Sequence, residues 1–145
     1  RSLSKKNWRI VFANSEQAGE GEKENLIDGK PETFWHTNWE TTKEKYPHEI
    51  QVDLGESVSI AAIVYTARSG MDNGRFKKYE FYVSADGKEW GQPAASGDFS
   101  RHELRNTVTL SKSVTGRYVR MRALSPHKPE EFFASAAELD IIPAE

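Results

Sequence analysis

Glu49-Ile-Gln-Val-Asp-Leu54 alternates apolar and polar residues along its whole length. Successive side chains of a strand point to opposite faces of a sheet, so Ile50, Val52 and Leu54 share one face and the polar residues share the other. A strand that is apolar on one face only is typical of an antiparallel sheet with one side packed on a core. This stretch therefore predicts a half-buried antiparallel strand.

Similar short runs recur on both sides of it. They are Trp8 to Ala13, Ile60 to Tyr65, Tyr79 to Ser84, Thr107 to Leu110, Arg117 to Arg122 and Glu138 to Ile142. Turn-forming residues separate them, at Gly55-Glu-Ser57, Ala85 to Lys88, Lys112 to Gly116 and Ser125 to Glu130. The pattern predicts an all-β, antiparallel sandwich or barrel. With 145 residues and neither a repeat nor a linker, we expect a single domain over residues 1–145.

Composition excludes several classes of function. A net charge of −2 and a pI near 6.1 give no electrostatic basis for binding nucleic acid or anionic lipid. The absence of Cys removes disulfides, thiolate metal sites and Cys nucleophiles. The sequence has no stretch long enough to span a membrane, and its polar start at Arg1 suggests a piece of a larger protein. No acid/base, nucleophile or phosphate-loop motif is present, so we expect the domain not to be an enzyme.

Candidate binding chemistry concentrates between Leu26 and Trp39. Asp28-Gly29 and Lys30-Pro31 are turn dipeptides that can aim carbonyl oxygens inward, and the Asp28 and Thr33 side chains add further oxygens. Such a loop suits calcium, which takes six to eight oxygen ligands, although a plain Asp-Gly turn before a strand explains the same residues. Three long polar segments, Asn14 to Lys23, Trp39 to Tyr46 and Ala67 to Arg75, are where a rigid β scaffold would carry binding groups.

Five motifs occur in order across nearly the whole chain, from about Trp8 to Ile142. They are Ile27-Asp-Gly-Lys-Pro-Glu-Thr-Phe-Trp-His-Thr-Asn-Trp39, Tyr46-Pro-His-Glu-Ile-Gln-Val-Asp-Leu-Gly55, Gly74-Arg-Phe-Lys-Lys-Tyr-Glu-Phe-Tyr-Val-Ser-Ala-Asp-Gly-Lys-Glu-Trp90, Arg117-Tyr-Val-Arg120 and Ala134-Ser-Ala-Ala-Glu-Leu139. Together they resemble the discoidin-like, coagulation factor V/VIII type C domains. Within that superfamily they resemble the family 32 carbohydrate-binding modules of bacterial glycoside hydrolases. The resemblance implies an eight-stranded, jelly-roll-like β-sandwich.

The resemblance also implies two sets of site residues. A structural calcium ion would take side-chain oxygens of Asp28, Thr33 and Glu138 and carbonyl oxygens of Asn25, Lys30 and Ala137. A sugar would be bound by His36, Arg68 and Asn73 and would stack on Phe133, with Phe132 as a near-equal alternative. Trp39 would either flank the sugar or pack beneath the loop, and Glu20 or Glu22 is a further candidate.

The implied function is non-catalytic binding of galactose-type or N-acetylhexosamine-type glycans, which would target a linked glycoside hydrolase domain. The domain is expected to be monomeric and to lie outside the cell, in the periplasm or on the cell surface. Protein or phospholipid recognition is the alternative, as in the eukaryotic discoidin-like relatives. Lipid-binding members use apolar residues at loop tips, whereas the loops here are rich in Glu, Thr and Lys with Met71 as the obvious apolar tip, so no membrane insertion is expected.

Overall fold

The computed structural model describes residues 1–145 and contains eight strands and one short 3-10 helix at Lys23–Ile27. The strands are β1 (Arg9–Ala13), β2 (Trp35–His36), β3 (His48–Thr66), β4 (Lys78–Ser84), β5 (Ala95–Asp98), β6 (Arg105–Ala123), β7 (Ser135–Ala136) and β8 (Glu138–Pro143). No helix has the length and apolar character needed to cross a membrane. The predicted all-β fold is confirmed.

All strand pairs are antiparallel and form two sheets. The larger has six strands in the order β1-β3-β6-β4-β5, and β8 also pairs with β3. β1 pairs with Ile50–Asp53 of β3, while β8 pairs with Ile60–Thr66, so β3 pairs with both the first and the last strand of the chain. The smaller sheet consists of β2 and β7 alone. This pair lies between the candidate loops and positions several of the site residues described below.

Two separators predicted as turns do not end strands. β3 and β6 each run without interruption for 19 residues, through Gly55–Ser57 and Lys112–Gly116 respectively. The pairing of β3 with β6 shifts register between Asp53 and Val58, where Gly55 has a φ of +83°. The pairing resumes beyond this bulge, where Val58 pairs with Gly116, and it shifts register a second time between Ile60 and Ala62. Turn-forming residues mark an irregularity here and not a chain reversal.

The core contains 23 buried apolar and aromatic residues. Ile50, Val52 and Leu54 are at most 2% exposed, as their alternation predicts. Asp53 belongs to the polar face of the same strand yet is also buried, because the guanidinium groups of Arg9 and Arg117 each lie 2.8 Å from its carboxylate. The hydrogen bond from Arg117 holds the pKa of Asp53 below its usual value, so Asp53 remains charged within its ion pairs.

Candidate functional site

A cavity of about 390 Å³ opens where the long loops meet, within the size range of ligand sites in proteins. The long polar loops, β2 and the segment before β7 supply its lining: Glu20, His36, Trp39, Arg68, Met71, Asn73, Phe132 and Phe133. All six residues expected to bind a sugar are among these eight. The structure thus brings together side chains that are up to 113 positions apart in the sequence, as Glu20 and Phe133 show.

His36 presents one ring nitrogen for use by a ligand. It is 3% exposed and lies on β2, where its Nδ1 is 2.7 Å from the carbonyl oxygen of Thr37. A carbonyl can only accept, so Nδ1 carries the proton and Nε2 of the neutral ring is an acceptor without a partner in the chain. Burial lowers the pKa of His36, and the positive charge of Arg68 acts in the same direction. The ring is therefore neutral at pH 7.

Arg68 supplies hydrogen-bond donors beside this acceptor. It follows the end of β3, and its guanidinium carbon lies 4.0 Å from the centre of the Phe34 ring. A guanidinium stacked on an aromatic face keeps its N–H groups free at the edge, and Arg68 forms no ion pair within the chain. Phe34 also meets the His36 ring edge to face at 6.3 Å. Phe34 therefore helps to orient both polar groups, a role the sequence analysis did not assign to it.

Two phenylalanine rings form the apolar side of the cavity. The Phe133 ring stacks against His36, with centroids 5.1 Å apart and an interplanar angle of 30°. Phe132 meets Phe133 edge to face at 5.2 Å. Both side chains are half-buried. The arrangement offers aromatic surface next to the His36 and Arg68 hydrogen-bonding groups, as sugar binding requires.

Trp39 and Glu20 resolve two alternatives that the sequence left open. Trp39 is 43% exposed and lines the cavity, so it flanks the cavity and does not pack beneath the loop. Its indole nitrogen donates a hydrogen bond of 2.8 Å to Glu20. Glu22, the other acidic candidate, instead accepts a hydrogen bond from the backbone nitrogen of Gly19. Glu20 is thus the carboxylate that reaches the cavity.

The loops on either side of the cavity are fixed to the β2–β7 pair by close backbone contacts. His36 and Ser135 are paired residues, and their nitrogens donate to the carbonyl oxygens of Gly21 and Gly74, at 3.1 and 2.9 Å. A β-carbon at Gly21 would come within 2.5 Å of the His36 side chain, and one at Gly74 within 2.5 Å of Ser135. Only glycine allows both approaches.

The loop that carries Arg68 and Asn73 is also held by ion pairs. Asp72 lies 2.9 Å from the nitrogen atoms of both Lys128 and Arg101. Hydrogen bonds from these two cations, Lys128 first, lower the pKa of Asp72 to about 2. The charges keep the loop close to the segment that leads to Phe132 and Phe133.

The residues expected to bind calcium also converge. Thr33 Oγ1 donates to the Asp28 carboxylate and lies 3.2 Å from the carbonyl oxygen of Lys30, and the Asp28 nitrogen is 3.5 Å from the carbonyl oxygen of Asn25. Glu138 begins β8 and reaches the same turn, where the nitrogen of Gly29 donates to its Oε2 at 3.0 Å. Its Oε1 is buried without a hydrogen-bond partner. Burial raises the pKa of Glu138 to about 7.

A lysine contributes positive charge at this second site. The Lys5 ammonium contacts Glu138 and lies 2.9 Å from Asp140. No group of three or more His, Cys, Asp or Glu side chains is arranged to hold a metal ion. Calcium here would therefore depend on two carboxylates, Asp28 and Glu138, with the remaining ligands neutral oxygens. The orphaned Glu138 oxygen and the turn of oxygen donors fit that requirement.

The chain matches known proteins over most of its length. Residues 11–139 match the family model described as F5/8 type C domain. The chain belongs to the F5/8 type C domain family. This F5/8 type C domain is 35% identical over 142 residues to a sialidase of Micromonospora viridifaciens, covering 96% of the chain and 22% of the sialidase. The chain thus spans about a fifth of the length of that curated relative.

Solved structures show the same architecture. A CBM32 module from Clostridium perfringens, in complex with GalNAc-β-1,3-galactose, is 34% identical, with a TM-score of 0.88 and coverage of 98% of this chain and 99% of the other. The family 32 carbohydrate-binding module of C. perfringens NanJ, in complex with galactose, is 28% identical, with a TM-score of 0.85 and coverage of 97% and 96%. The F5/8 type C domain described here is therefore a β-sandwich of the CBM32 kind.

His48 has a structural role that the sequence analysis did not assign to it. It is the first residue of β3 and has 0% exposure, and its Nε2 donates to the carbonyl oxygen of Phe132 at 2.6 Å. The signal was present in the sequence. His48 is in phase with Ile50 and Val52 in the alternating run, which places it on the buried face.

Proposed function

We propose that this domain is a non-catalytic carbohydrate-binding module whose ligand occupies the cavity between His36, Arg68 and Phe133. One observation supports the proposal above all. The acceptor nitrogen of His36, the guanidinium of Arg68, which has no ion pair, and the aromatic surface of Phe133 lie together in one open cavity. A pyranose presents a rim of hydroxyl groups and an apolar face of C–H bonds. Fixed polar groups would bind the rim, and an aromatic ring would bind the face.

The ligand class follows from the relatives. Two CBM32 structures that are 34% and 28% identical to this chain hold GalNAc-β-1,3-galactose and galactose respectively. We infer a galactose-type or N-acetylhexosamine-type glycan for this domain. His36, Trp39, Arg68, Asn73, Phe132 and Phe133 are the proposed contacts.

A binding role fits the charges of the cavity better than catalysis does. Glycoside hydrolysis generally uses a pair of facing carboxyl groups, whereas Glu20 is the one carboxylate in the lining and is hydrogen-bonded to Trp39. We infer a monomeric, extracellular module linked to a glycoside hydrolase. Binding of glycan by the module would raise the effective concentration of substrate at the linked enzyme.

We also propose a structural calcium ion bound by Asp28, Thr33 and Glu138, with carbonyl oxygens of Asn25, Lys30 and Ala137. The unpartnered Oε1 of Glu138 supports this, because a buried carboxylate oxygen without a donor is costly unless a cation binds it. The ion would join the turn after the 3-10 helix to the last strand. It would stabilise the folded state and has no role in a reaction.

A glycan array probed with the purified domain in calcium-containing buffer tests the proposed function. We expect signal on glycans with terminal galactose or N-acetylhexosamine. Vesicles of phosphatidylserine and phosphatidylcholine provide the second arm, because the alternative function predicts binding there. Vesicle binding without signal on any glycan would contradict the proposal.

Glycan affinity should depend on pH through His36. Its Nε2 accepts a hydroxyl proton only in the neutral ring, and burial lowers its pKa below the ordinary 6.5. Affinity should therefore be highest near pH 7.5 and fall toward pH 5.0 as the ring gains a proton. Titration calorimetry between pH 7.5 and 5.0 would measure this. A slope that persists in His36→Ala would assign the effect to another group.

Removal of the Phe133 ring tests the stacking surface. Phe133→Ala should weaken glycan binding by about 1 kcal/mol at every pH, because stacked aromatic contacts contribute on this order. It should also move the acid midpoint upward, since the Phe133 ring lies 5.1 Å from His36 and shields it from water. Phe132→Ala is the variant for comparison, because Phe132 lines the same cavity and is the alternative stacking surface. Equal losses in the two variants would show that neither ring is the principal platform.

A further inference from the structure

The segment that carries the two phenylalanine rings is held from outside the cavity. Tyr46 donates its hydroxyl proton to the carbonyl oxygen of Phe133 at 2.9 Å. His48 donates from Nε2 to the carbonyl oxygen of Phe132 at 2.6 Å. The two donors lie 87 and 84 positions away from their acceptors in the sequence. The consecutive carbonyl groups of Phe132 and Phe133 are thus fixed by two residues, Tyr46 just before β3 and His48 at its start.

The donor role of His48 is determined by a third residue. The Asn14 side-chain oxygen accepts a hydrogen bond of 2.8 Å from the backbone nitrogen of Glu49, so its amide NH₂ is directed toward His48, 3.1 Å from Nδ1. Nδ1 therefore accepts and Nε2 carries the proton. The Tyr46 ring meets His48 edge to face at 4.6 Å. Every polar atom of this buried imidazole is satisfied, which makes the arrangement rigid.

Neither residue lines the cavity, so neither is placed to touch a ligand. Their effect on a ligand would pass through the backbone of Phe132 and Phe133, because backbone conformation restricts the rotamers that a side chain can adopt. We propose that Tyr46 and His48 are positioning residues for glycan binding, which fix the Phe133 ring beside His36 and Arg68. This inference rests on the proposed function.

Tyr46→Phe removes one hydroxyl group and leaves the ring in place. With loss of one hydrogen bond, we expect glycan affinity to fall about 2- to 10-fold. Tyr82→Phe is the matched control, because it removes a hydroxyl that donates to Glu80 at 2.8 Å on a residue outside the cavity lining. The control should keep wild-type affinity. Calorimetry would measure the glycan affinity of both variants well below their melting temperatures. Both are then folded, so a lower affinity reflects the position of the Phe133 ring and not a loss of stability.

His48 provides a rescue test. Gln has an amide that can replace the Nε2–H donor, whereas Leu cannot donate to Phe132. His48→Gln should therefore retain more glycan affinity than His48→Leu. If the Leu variant fails to fold, the comparison of Tyr46→Phe with wild type still decides the question.

A second readout needs no ligand. Amide hydrogen exchange followed by NMR should be faster in Tyr46→Phe at Ala134, whose nitrogen donates to Thr37 Oγ1 at 3.0 Å, while the amides of β3 and β6 remain protected. Faster exchange confined to this segment, with weaker glycan binding, would support the proposal. Unchanged exchange in the segment would overturn it, as would wild-type affinity in Tyr46→Phe. Failure of the wild-type domain to bind any glycan would instead contradict the proposed function. Amide hydrogen exchange would still test whether Tyr46 fixes the segment that carries Phe133.

Discussion

Arg68→Ala is expected to weaken glycan binding by about 1.5–3 kcal/mol, or roughly 10- to 150-fold, the usual value of hydrogen bonds made by a charged group. The guanidinium has no ion pair in the chain and is held 4.0 Å from the Phe34 ring, so its donors are oriented before a ligand arrives. Little reorganisation opposes binding in the wild type. The variant loses both the charge and the preorganised geometry.

Calorimetry with the best glycan from the array would measure this effect. Arg68→Lys retains the charge but loses the planar fork, and it should recover only part of the affinity. Arg9→Ala is a suitable control, because it removes one positive charge from an exposed side chain that pairs with Asp53 and lies outside the cavity. Wild-type affinity in folded Arg68→Ala would place the glycan elsewhere on the domain.

Calcium is expected to produce the largest change in stability. An ion that binds only the folded state adds about 4 kcal/mol to the free energy of unfolding at a thousandfold excess over its Kd. Treatment with a chelator should therefore lower the melting temperature by several degrees, and added calcium should restore it. Glu138→Gln should abolish the response. An unchanged melting curve, together with no calcium in elemental analysis, would contradict the site.

Lys5 makes a sharper version of this experiment available. Its ammonium contacts Glu138 and Asp140, so it competes with a metal ion for the same negative charge. Lys5→Met should consequently bind calcium more tightly than the wild type. Lys6→Met is the matched control, since Lys6 lies beside the same group of residues, with Lys5, Asp28 and Glu138, and forms no ion pair. Equal calcium affinity in the two variants would show that Lys5 does not compete.

The parts of the fold that could be predicted are those with a local signal. Alternation located β4 and β8 to within a residue, because each has one buried face. β2 and β7 have two residues each, too few to show any period, and they exist because the neighbouring loops pack against them. Gly55 illustrates the opposite error, since this turn-forming residue lies at a shift of register within a paired strand and does not end the strand.

The candidate site followed mostly from resemblance and little from local pattern. Nothing near Asp28 in the sequence indicates Glu138, which lies 110 positions later. Likewise, whether Trp39 lines a cavity or packs beneath a loop depends on its hydrogen bond to Glu20, a contact between two separate loops. His48 could have been found by its phase with Ile50. Its partner, the carbonyl oxygen of Phe132, could not have been found in this way. Every residue has a backbone carbonyl group, and the sequence does not indicate which of them accepts a hydrogen bond.

The two glycines that pack against β2 and β7 also indicate how this domain could be adapted to new ligands. Gly21 and Gly74 fix the ends of two loops through backbone contacts, and the ion pairs of Asp72 hold the second loop, so the fold depends little on the other side chains at the loop tips. A library randomised at residues 18, 20, 69, 71 and 73, with Asp72 and the glycines of both loops retained, would explore altered sugar preference at little risk to folding. Recognition and scaffold are therefore largely separable targets for laboratory evolution of this module.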